Sequence, residues 1–320
     1  MQLYSAPLQS YTTVFYRAAF HECIGRFDKY FTPFFELAKT EEFVPKLFPE
    51  LDLHLNRSMY VVPQILTNES LHLVRFAKTA NDLGFREINL NMGCPHPPIW
   101  RKGLGSGLIQ SPKMLDKMLT SFFNQMPDCL LSVKMRLGVE DAHEWEKLAP
   151  VLNDHPLLEV IVHPRTARQQ YKGVPDWDEF ARIANTLTHR MVANGNIESA
   201  AHLAHLKAHV PNISCVMVGR GWLGNPWLPN MLKNIPVNQG NMSQLKEFHQ
   251  KFHILVTENV NDVNIRRNLF HAFWFYVCGQ IDGGKRWYRS LTKERSLDSY
   301  PALVEQLLKR DWVGIPVSES

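Results

Sequence analysis

The feature that most constrains this chain is an alternation, repeated eight times, of short strand-like runs with amphipathic helical segments. Strands that alternate with helices predict a parallel sheet, because each helix carries the chain back to begin the next strand beside the last. Eight such units within residues 1–235 have the size of a closed (β/α)8 TIM barrel. An open doubly wound sheet is the alternative. The predicted strands are residues 2–7, 27–34, 58–66, 86–91, 130–138, 158–165, 190–196 and 214–221.

The pattern changes after residue 234. Residues 234–244 are rich in Asn, Pro, Gly and Ser, which is typical of a linker. Helical periodicity without strands follows. We therefore predict two domains, a barrel over 1–235 and a small all-helical domain over 241–312.

Composition narrows the class of protein. The chain has 320 residues, a hydrophobic fraction of 45% and a formal net charge of +4, as an ordinary globular protein does. Its five cysteines contain no C-x-x-C pair, which argues against a zinc ribbon and fits a reducing compartment. The first residues do not resemble a signal peptide, and no apolar run is long enough to span a membrane. We expect a soluble, cytoplasmic protein that binds no metal and is a monomer.

A barrel collects its chemistry at the carboxyl ends of its strands. Polar residues or glycines stand at most of these ends. Strand ends are also often polar simply because the chain reaches solvent there, which is the alternative explanation. They are Ala6-Pro7-Leu8, Gln64, Asn91 with Cys94, Lys134 with Arg136, His163 with Arg165, Asn194-Gly195-Asn196, and Gly219-Arg220-Gly221.

The last two ends predict a phosphate site. Their glycines allow main-chain N–H groups to approach a phosphate, and Arg220 lies beside them. No G-x-G-x-x-G follows the first strand, so a Rossmann-type site is not expected. Lys134 could stabilise the negative charge of a reduced flavin, with Gln64 and Ala6-Pro7-Leu8 around the ring. A salt bridge to a carboxylate is the alternative role for Lys134.

Several motifs, in this order and spacing, resemble those of the tRNA-dihydrouridine synthase family. "APLQSYTTVFYR" is similar to the opening of that family, and "NLNMGCP" to its D-x-N-x-G-C-P. "VKMRLG", "HPRTARQQYKGVPDW", "ANGNI" and "GRGWLGNPW" resemble its later motifs. The resemblance covers nearly the whole chain.

The resemblance implies an FMN-dependent TIM-barrel enzyme that reduces a uridine of tRNA, with NADPH or NADH as reductant. It implies that Cys94 is the general acid, giving a proton to C5 of the uracil while hydride from reduced FMN reaches C6. A thiol suits this task, because it is mostly protonated at neutral pH yet acidic enough to give up its proton. Asn91 is expected to contact the uracil, and Arg136, His163 and Arg165 to contact substrate or flavin. Each of these residues also has an ordinary structural alternative. Cys94 could be a small buried apolar residue, and His163 could be hydrogen-bonded to the main chain. Arg165 could form an ion pair at the surface.

Several positions depart from the family pattern, among them Leu8 in place of Met and Thr32-Pro33 in place of Thr-Glu. Asn89 and Thr13 stand where the family usually has Asp, and His96-Pro97 follows the G-C-P motif in place of a small residue and Lys. These changes bear on which RNA is recognised and leave Cys94 in place.

The helical domain predicts an RNA surface. Basic residues outnumber acidic ones by four within residues 261–295, and aromatic residues lie among them. The pairs Arg266-Arg267 and Lys285-Arg286 are the candidate RNA contacts, whereas Trp274 is expected in the core.

Three alternative functions stay open. The first is an FMN-dependent oxidoreductase of a free pyrimidine, of the dihydroorotate type, which would leave the basic helical domain unexplained. The second is a dihydrouridine synthase acting on ribosomal RNA. The third is a catalytically silent RNA-binding protein on the same scaffold.

Overall fold

The computed structural model describes residues 1–36, 47–294 and 296–314. Within these ranges the strands form one sheet, and all of its pairings are parallel. The strands are β1 (Gln2–Ser5), β2 (Lys29–Phe31), β3 (Val61–Val62), β4 (Gln64–Ile65), β5 (Glu87–Met92), β6 (Leu130–Gly138), β7 (Glu159–Thr166), β8 (Arg190–Asn194) and β9 (Cys215–Val218).

The sheet closes on itself into a barrel. Its strand order is β3-β2-β1-β9-β8-β7-β6-β5-β4, and only Pro63 separates the two end strands β3 and β4 along the chain. Proline has no N–H to give to the ladder, so the predicted third strand is divided in two. The Pro63 carbonyl still accepts a hydrogen bond from Asn89 N at 2.9 Å. The predicted (β/α)8 barrel is therefore confirmed, and an open doubly wound sheet is excluded.

Helices surround the barrel and then continue without strands. The helices of the barrel region are α1 (Val14–Cys23), α2 (Leu47–Leu51), α3 (Ser70–Asp82), α4 (Pro97–Trp100), α5 (Pro112–Gln125), α6 (Ala149–Asn153), α7 (Trp177–Thr186), α8 (Ala200–His209), α9 (Arg220–Gly224) and α10 (Leu228–Leu232). The helical region that follows contains α11 (Met242–Asn259), α12 (Val263–Val277), α13 (Gly284–Leu291) and α14 (Tyr300–Leu308). Short 3-10 helices cover Gly105–Gln110, Glu144–Lys147 and Cys278–Gln280.

Both faces of the sheet are buried, as expected for parallel strands covered by helices. The outer face packs against the helices in one large apolar core. A smaller apolar cluster fills the barrel interior, with Tyr4, Phe31, Ile161, Val192 and Met217 among its members. This interior packing forms the floor on which the polar residues at the strand ends rest.

The helical region docks firmly on the barrel. Tyr16 of α1 packs edge-on against Phe248 of α11, with ring centroids 5.1 Å apart. Trp227 donates its Nε1 hydrogen to Gln244 Oε1 at 2.6 Å across the same contact. Trp274 is fully buried, as the sequence predicts for a core residue. In the described part of the chain, none of the helices has both the length and the apolarity needed to cross a membrane.

Candidate active site

A cavity of about 370 Å³ opens at the carboxyl ends of the strands. Parallel register brings the predicted residues there, because Asn91 lies opposite Lys134 and Arg136 lies opposite His163 on neighbouring strands. The predicted site residues that line the cavity are Ala6, Pro7, Leu8, Asn91, Cys94, Lys134, Arg136, His163, Asn194, Gly195, Asn196, Gly219 and Arg220.

The main chain around Cys94 is fixed from several sides. Asn91 Oδ1 accepts hydrogen bonds from Gly93 N and Cys94 N, each at 3.0 Å. The Cys94 carbonyl accepts from the hydroxyl of Ser106 at 2.8 Å, and Arg136 Nε donates to the Gly93 carbonyl at 3.0 Å. Burial raises the pKa of the Cys94 thiol, with nearby Arg136 and Lys134 opposing that shift. The thiol is therefore held protonated at neutral pH beside the cavity.

Two glycines let the following loop fold back onto this segment. A Cβ on Gly105 would lie 2.8 Å from Cys94 Cβ, and its φ of +57° already disfavours other residues. A Cβ on Gly107 would lie 2.1 Å from the carbonyl oxygen of Trp100. Both glycines are buried, so their absent side chains allow the loop to pack directly beside the cysteine.

Gln64 lies beneath the cavity instead of in its wall. It is fully buried, and its Nε2 donates to Asn89 Oδ1 at 2.7 Å while its Oε1 accepts from Asn91 Nδ2 at 2.8 Å. Asn91 is thus fixed from below by Gln64 and binds the Cys94 loop above.

The amide chain continues downward through the barrel. Asn89 Nδ2 donates to Ser132 Oγ at 2.9 Å, and that hydroxyl reaches Glu87 Oε1 at 3.2 Å. Lys29 pairs with Glu87 at 2.7 Å and with Glu159 at 3.0 Å at the bottom. From Cys94 N to Ser132 Oγ, each donor points toward the Glu87 carboxylate, which also accepts from Lys29 on its other side. This direction fixes the orientation of each side-chain amide.

Among the described residues that line the cavity, three cations, Lys134, Arg136 and Arg220, outnumber one carboxylate, that of Glu198. Burial, with a further contribution from Arg136, lowers the pKa of Lys134 to about 7. No described carboxylate lies within ion-pair distance of the Lys134 amine, so a structural salt bridge does not account for it. Burial lowers the pKa of Arg136 and of Arg165 to about 10. An anionic ligand would relieve this mutual repulsion.

His163, which lines the cavity, forms a buried pair with Arg165, which does not. Arg165 Nη1 lies 2.8 Å from His163 Nε2, and a guanidinium can only donate, so His163 Nε2 is the acceptor. Burial and the cations around it lower the pKa of His163 well below the usual value, so the neutral ring carries its proton on Nδ1. Arg165 is fully buried and also donates to the carbonyls of Lys172 and Gly173. It therefore shapes the loop after β7 and is not a surface ion pair.

A tyrosine absent from the predicted site links two of the cations. The ring of Tyr171 lies 4.6 Å from the Arg220 guanidinium and 5.6 Å from that of Arg136. Asn196 Oδ1 accepts from both Arg220 and Arg165 at 3.2 Å. Tyr171 belongs to the "HPRTARQQYKG" motif, so that motif could have indicated it, whereas nothing in the sequence singles out Tyr276 of α12, which also lines the cavity.

The glycine-containing strand ends fit a phosphate-bearing cofactor. Gly195 has a φ of +142°, and a Cβ there would lie 3.0 Å from the His163 ring. Gly219 faces Ala6 and Leu8, which a Cβ would approach to 3.5 Å. Among the described residues, the main-chain N–H groups of Gly195 and Gly219 have no protein acceptor. Main-chain donors, a close approach and the Arg220 side chain together suit a phosphate.

The predicted RNA residues differ in their surroundings. Lys285 and Arg286 are exposed on α13, a helix that the sequence analysis did not identify. Arg266 is half-buried and donates to the carbonyls of Val260 and Thr257 at the end of α11. Arg267 donates to Asn264 Oδ1 at 2.8 Å. The first pair is therefore available to a partner, and the second pair supports the corner between α11 and α12.

The departures from the family pattern have local structural roles. Asn89 is a central member of the buried amide chain, where it both accepts and donates. Pro97 is the first residue of α4 and His96 its N-cap, and proline is favoured at that first helical position. Thr13 precedes α1 as its N-cap residue, without a hydrogen bond from its side chain to the helix.

The family model and the curated relatives that match this chain are dihydrouridine synthases. The family model "Dihydrouridine synthase (Dus)" matches residues 5–310. The chain is 32% identical over 176 residues to a tRNA-dihydrouridine(16) synthase of Cupriavidus necator, covering 55% of this chain and 54% of that protein. It is 27% identical over 257 residues to a probable tRNA-dihydrouridine synthase of Mycobacterium leprae, covering 76% and 66% respectively. The matches thus span about half to two thirds of the relatives' lengths.

Solved structures agree at the level of the fold. A histamine dehydrogenase from Rhizobium sp. 4-9 matches with a TM-score of 0.56 at 12% identity, over 73% of this chain and 45% of that one. A morphinone reductase variant in complex with tetrahydroNAD matches with a TM-score of 0.52 at 10% identity, over 76% and 89%. At such identities the likeness concerns the barrel alone. The match of the family model over nearly the whole sequence shows that this chain belongs to the dihydrouridine synthase family.

Proposed function

We propose that this protein is an FMN-dependent tRNA-dihydrouridine synthase, which reduces the 5,6 double bond of a uridine in tRNA. The observation that carries the proposal is the placement of the Cys94 thiol and the Lys134 amine on one cation-lined cavity. Saturating a uracil needs a hydride donor on one face of the ring and a proton donor on the other. Cys94 is the proton donor in this scheme.

The cavity residues divide between the two ends of the cofactor. Lys134 would stabilise negative charge at the pyrimidine edge of the flavin, with Ala6, Pro7 and Leu8 beside the ring. Gly195, Asn196, Gly219 and Arg220 would hold its phosphate, with His163 and Asn194 between the two ends. When bound, reduced FMN supplies the hydride that reaches C6 of the uracil. Gln64 acts on this arrangement only through Asn91, because it lies below the cavity.

Cys94 would deliver its proton from Sγ to C5 of the uracil. Burial raises the pKa of this thiol, which keeps the proton in place until a carbanion-like centre develops at C5. Asn91 Oδ1 is occupied by the two main-chain N–H groups, so only the second hydrogen on Nδ2 is left to meet the uracil. Arg136 would add charge near the uracil, and Arg165 would position His163.

The relatives named as tRNA-dihydrouridine synthases support tRNA as the partner. The proposal includes a division into a catalytic domain over 1–235 and a tRNA-binding domain over 241–312, a monomeric cytoplasmic enzyme, and NADPH or NADH as reductant. Lys285 and Arg286 are its RNA-phosphate contacts on the helical domain. A free-pyrimidine oxidoreductase gives no role to these exposed cations.

The test uses purified, FMN-loaded protein with NADPH or NADH and three kinds of substrate: unmodified tRNA transcripts, ribosomal RNA transcripts, and free uracil or orotate. We expect dihydrouridine in tRNA, measured by mass spectrometry after digestion to nucleosides. Cys94→Ala should lower its formation by about a hundred- to ten-thousand-fold, the usual contribution of a general acid, while NADPH still reduces the flavin. Cys23→Ala, a half-buried thiol on α1, is the matched control.

Each outcome separates the alternatives. If dihydrouridine forms in ribosomal RNA alone, the substrate is ribosomal RNA and not tRNA. If only free uracil or orotate is converted, the protein is a free-pyrimidine oxidoreductase. Failure to bind FMN would contradict the proposal and leave a silent RNA-binding protein.

A further inference from the structure

Four aromatic side chains form a continuous group at the mouth of the cavity. Tyr11 comes from the loop after β1, Phe275 and Tyr276 come from α12, and Tyr288 comes from α13. The centroid of Phe275 lies 5.4 Å from that of Tyr11, 4.8 Å from that of Tyr276 and 5.8 Å from that of Tyr288. We call this group the aromatic rim. It joins the barrel and the helical region around one opening.

The rim is open to solvent at one ring: Phe275 is exposed, whereas Tyr11, Tyr276 and Tyr288 are half-buried and pack against the core. Phe275 is 45% exposed, whereas its neighbour Trp274 is fully buried and packs into the helical core. Tyr11 and Tyr276 line the cavity itself. Packing alone therefore explains the inner part of the rim but does not explain a large ring left open to solvent beside the cavity.

Positive charge surrounds the rim. Lys285 and Arg289 lie three residues before and one residue after Tyr288 on α13, and both are exposed. Their four-residue spacing places them on the same side of the helix. On the cavity side, Arg220 and Tyr276 both line the cavity. An exposed ring, backed by half-buried rings and flanked by cations, matches a ligand with planar groups on a polyanionic backbone, which is a single-stranded nucleic acid.

We propose that the aromatic rim stacks against the base of a nucleotide next to the uridine that enters the cavity, with Phe275 as its outer contact. The inference rests on the proposed function and adds a second recognition element to it. Drawing one base out of a stack leaves its neighbours without a partner on one side. A protein ring in that place offsets part of the lost stacking and favours the RNA conformation in which the uridine is extruded.

The experiment measures the Kd for an unmodified tRNA transcript over a series of salt concentrations, together with KM and kcat for dihydrouridine formation. Phe275→Ala and Phe275→Leu should both weaken binding and raise KM by about tenfold, since the stacking of one base on the ring is lost. Phe275→Tyr should restore both values, because it keeps the ring. The slope of log Kd against log salt should stay unchanged, since no phosphate contact is lost. Ile254→Ala, an equally exposed apolar residue on α11, is the control.

The outcomes distinguish this inference from the proposed function. If the wild type forms dihydrouridine and Phe275→Ala equals it in Kd and KM, the aromatic rim has no stacking role. Equal rescue by Leu and by Tyr would also overturn stacking, since bulk alone would then suffice. If the wild type makes no dihydrouridine but Phe275→Ala loses RNA affinity, the rim is upheld while the proposed reaction fails. If the wild type neither reacts with RNA nor binds it, both fall together.

Discussion

Asn91 holds the main chain of Cys94 through its side-chain oxygen, which accepts the Cys94 N–H at 3.0 Å. The amide nitrogen of the same side chain donates to Gln64 at 2.8 Å. The position of the thiol is therefore set by a residue three positions earlier and by the buried amides beneath it. Gln64 and Asn89 act as positioning residues, because they touch neither the thiol nor the cavity directly.

Replacing Gln64 by Met should destabilise the flavin-free protein by about 2–4 kcal/mol. The change leaves Asn91 Nδ2 and Asn89 Oδ1 buried without a partner, and each such group costs about 1–3 kcal/mol. Urea denaturation measures the loss. Gln125→Met, at an exposed amide on α5, should lie within about 0.5 kcal/mol of wild type. If Gln64→Met lowers the free energy of unfolding as little as Gln125→Met does, the hydrogen bonds of Gln64 do not contribute to stability as we expect.

Substituting Gly105 by Ala should lower dihydrouridine formation more than it lowers stability. The new Cβ would lie 2.8 Å from Cys94 Cβ and must displace the loop. Gly84→Ala is the matched control, because Gly84 also has a positive φ of +91° but has open space around its Cβ. Both variants should lose about 1 kcal/mol from backbone strain, and Gly105→Ala should lose more because its Cβ meets Cys94. Only Gly105→Ala should lose catalysis, and equal kinetics of the two variants would show that the contact does not matter.

Lys134→Met should stabilise the flavin-free protein at pH 7. Burial lowers the pKa of Lys134 to about 7, whereas an unfolded lysine titrates near 10.4, so the unfolded chain holds the extra proton between these values. Wild-type stability should therefore rise relative to Lys134→Met as the pH rises from 7 to 10. Urea titrations at several pH values measure the difference in free energy of unfolding between Lys134→Met and wild type, which should narrow as the pH rises. Lys78→Met, at an exposed lysine of α3, is the control. A gap that widens with pH would show that the amine is not held in an unfavourable site.

The two basic pairs of the helical region should respond differently to neutralisation. Lys285→Gln with Arg286→Gln should weaken tRNA binding and reduce the salt slope by roughly 2, about one unit per lost phosphate contact. Arg266→Gln should instead lower the free energy of unfolding, because its guanidinium binds the carbonyls at the end of α11. A salt series of Kd values and a denaturation curve for each variant separate the two effects. An unchanged slope for the double variant would remove α13 from the RNA surface.

The barrel could be predicted because its strands are short apolar runs with helices between them. This alternation can be recognised in a single sequence. The predicted third strand, residues 58–66, was too long: the strands there cover Val61–Val62 and Gln64–Ile65, and Pro63 separates them. The residues at the strand ends came together because parallel register places equivalent positions side by side.

The features of the site that could not be predicted depend on side-chain directions and tertiary contacts, which the sequence pattern does not show. Gln64 is predicted to face a cofactor, yet alternation along a two-residue strand cannot tell the cavity from the layer below it. The eight residues of α13 follow a left-handed Gly283 and lack a long apolar stripe, so the helix that carries Lys285 and Arg286 gave a weak signal. Tyr276 reaches the cavity only because α12 packs beside α9, which is a tertiary contact.

The junction at Pro63 has a further consequence for how the ring can open. β3 pairs with β2 through two residues and β4 pairs with β5 through two, whereas β5 and β6 share six paired positions. Pairings of two residues also join β1 to β2 and β8 to β9, but β3 and β4, which adjoin at Pro63, have only two residues each, and Gln64 is one of the four strand residues there. A transient separation of the barrel at this point would pull the amide of Gln64 away from Asn91. Local opening of the sheet at Pro63 and loss of order at the Cys94 thiol would therefore occur together. A chain circularly permuted at Pro63 would have both an open sheet and a poorly positioned thiol.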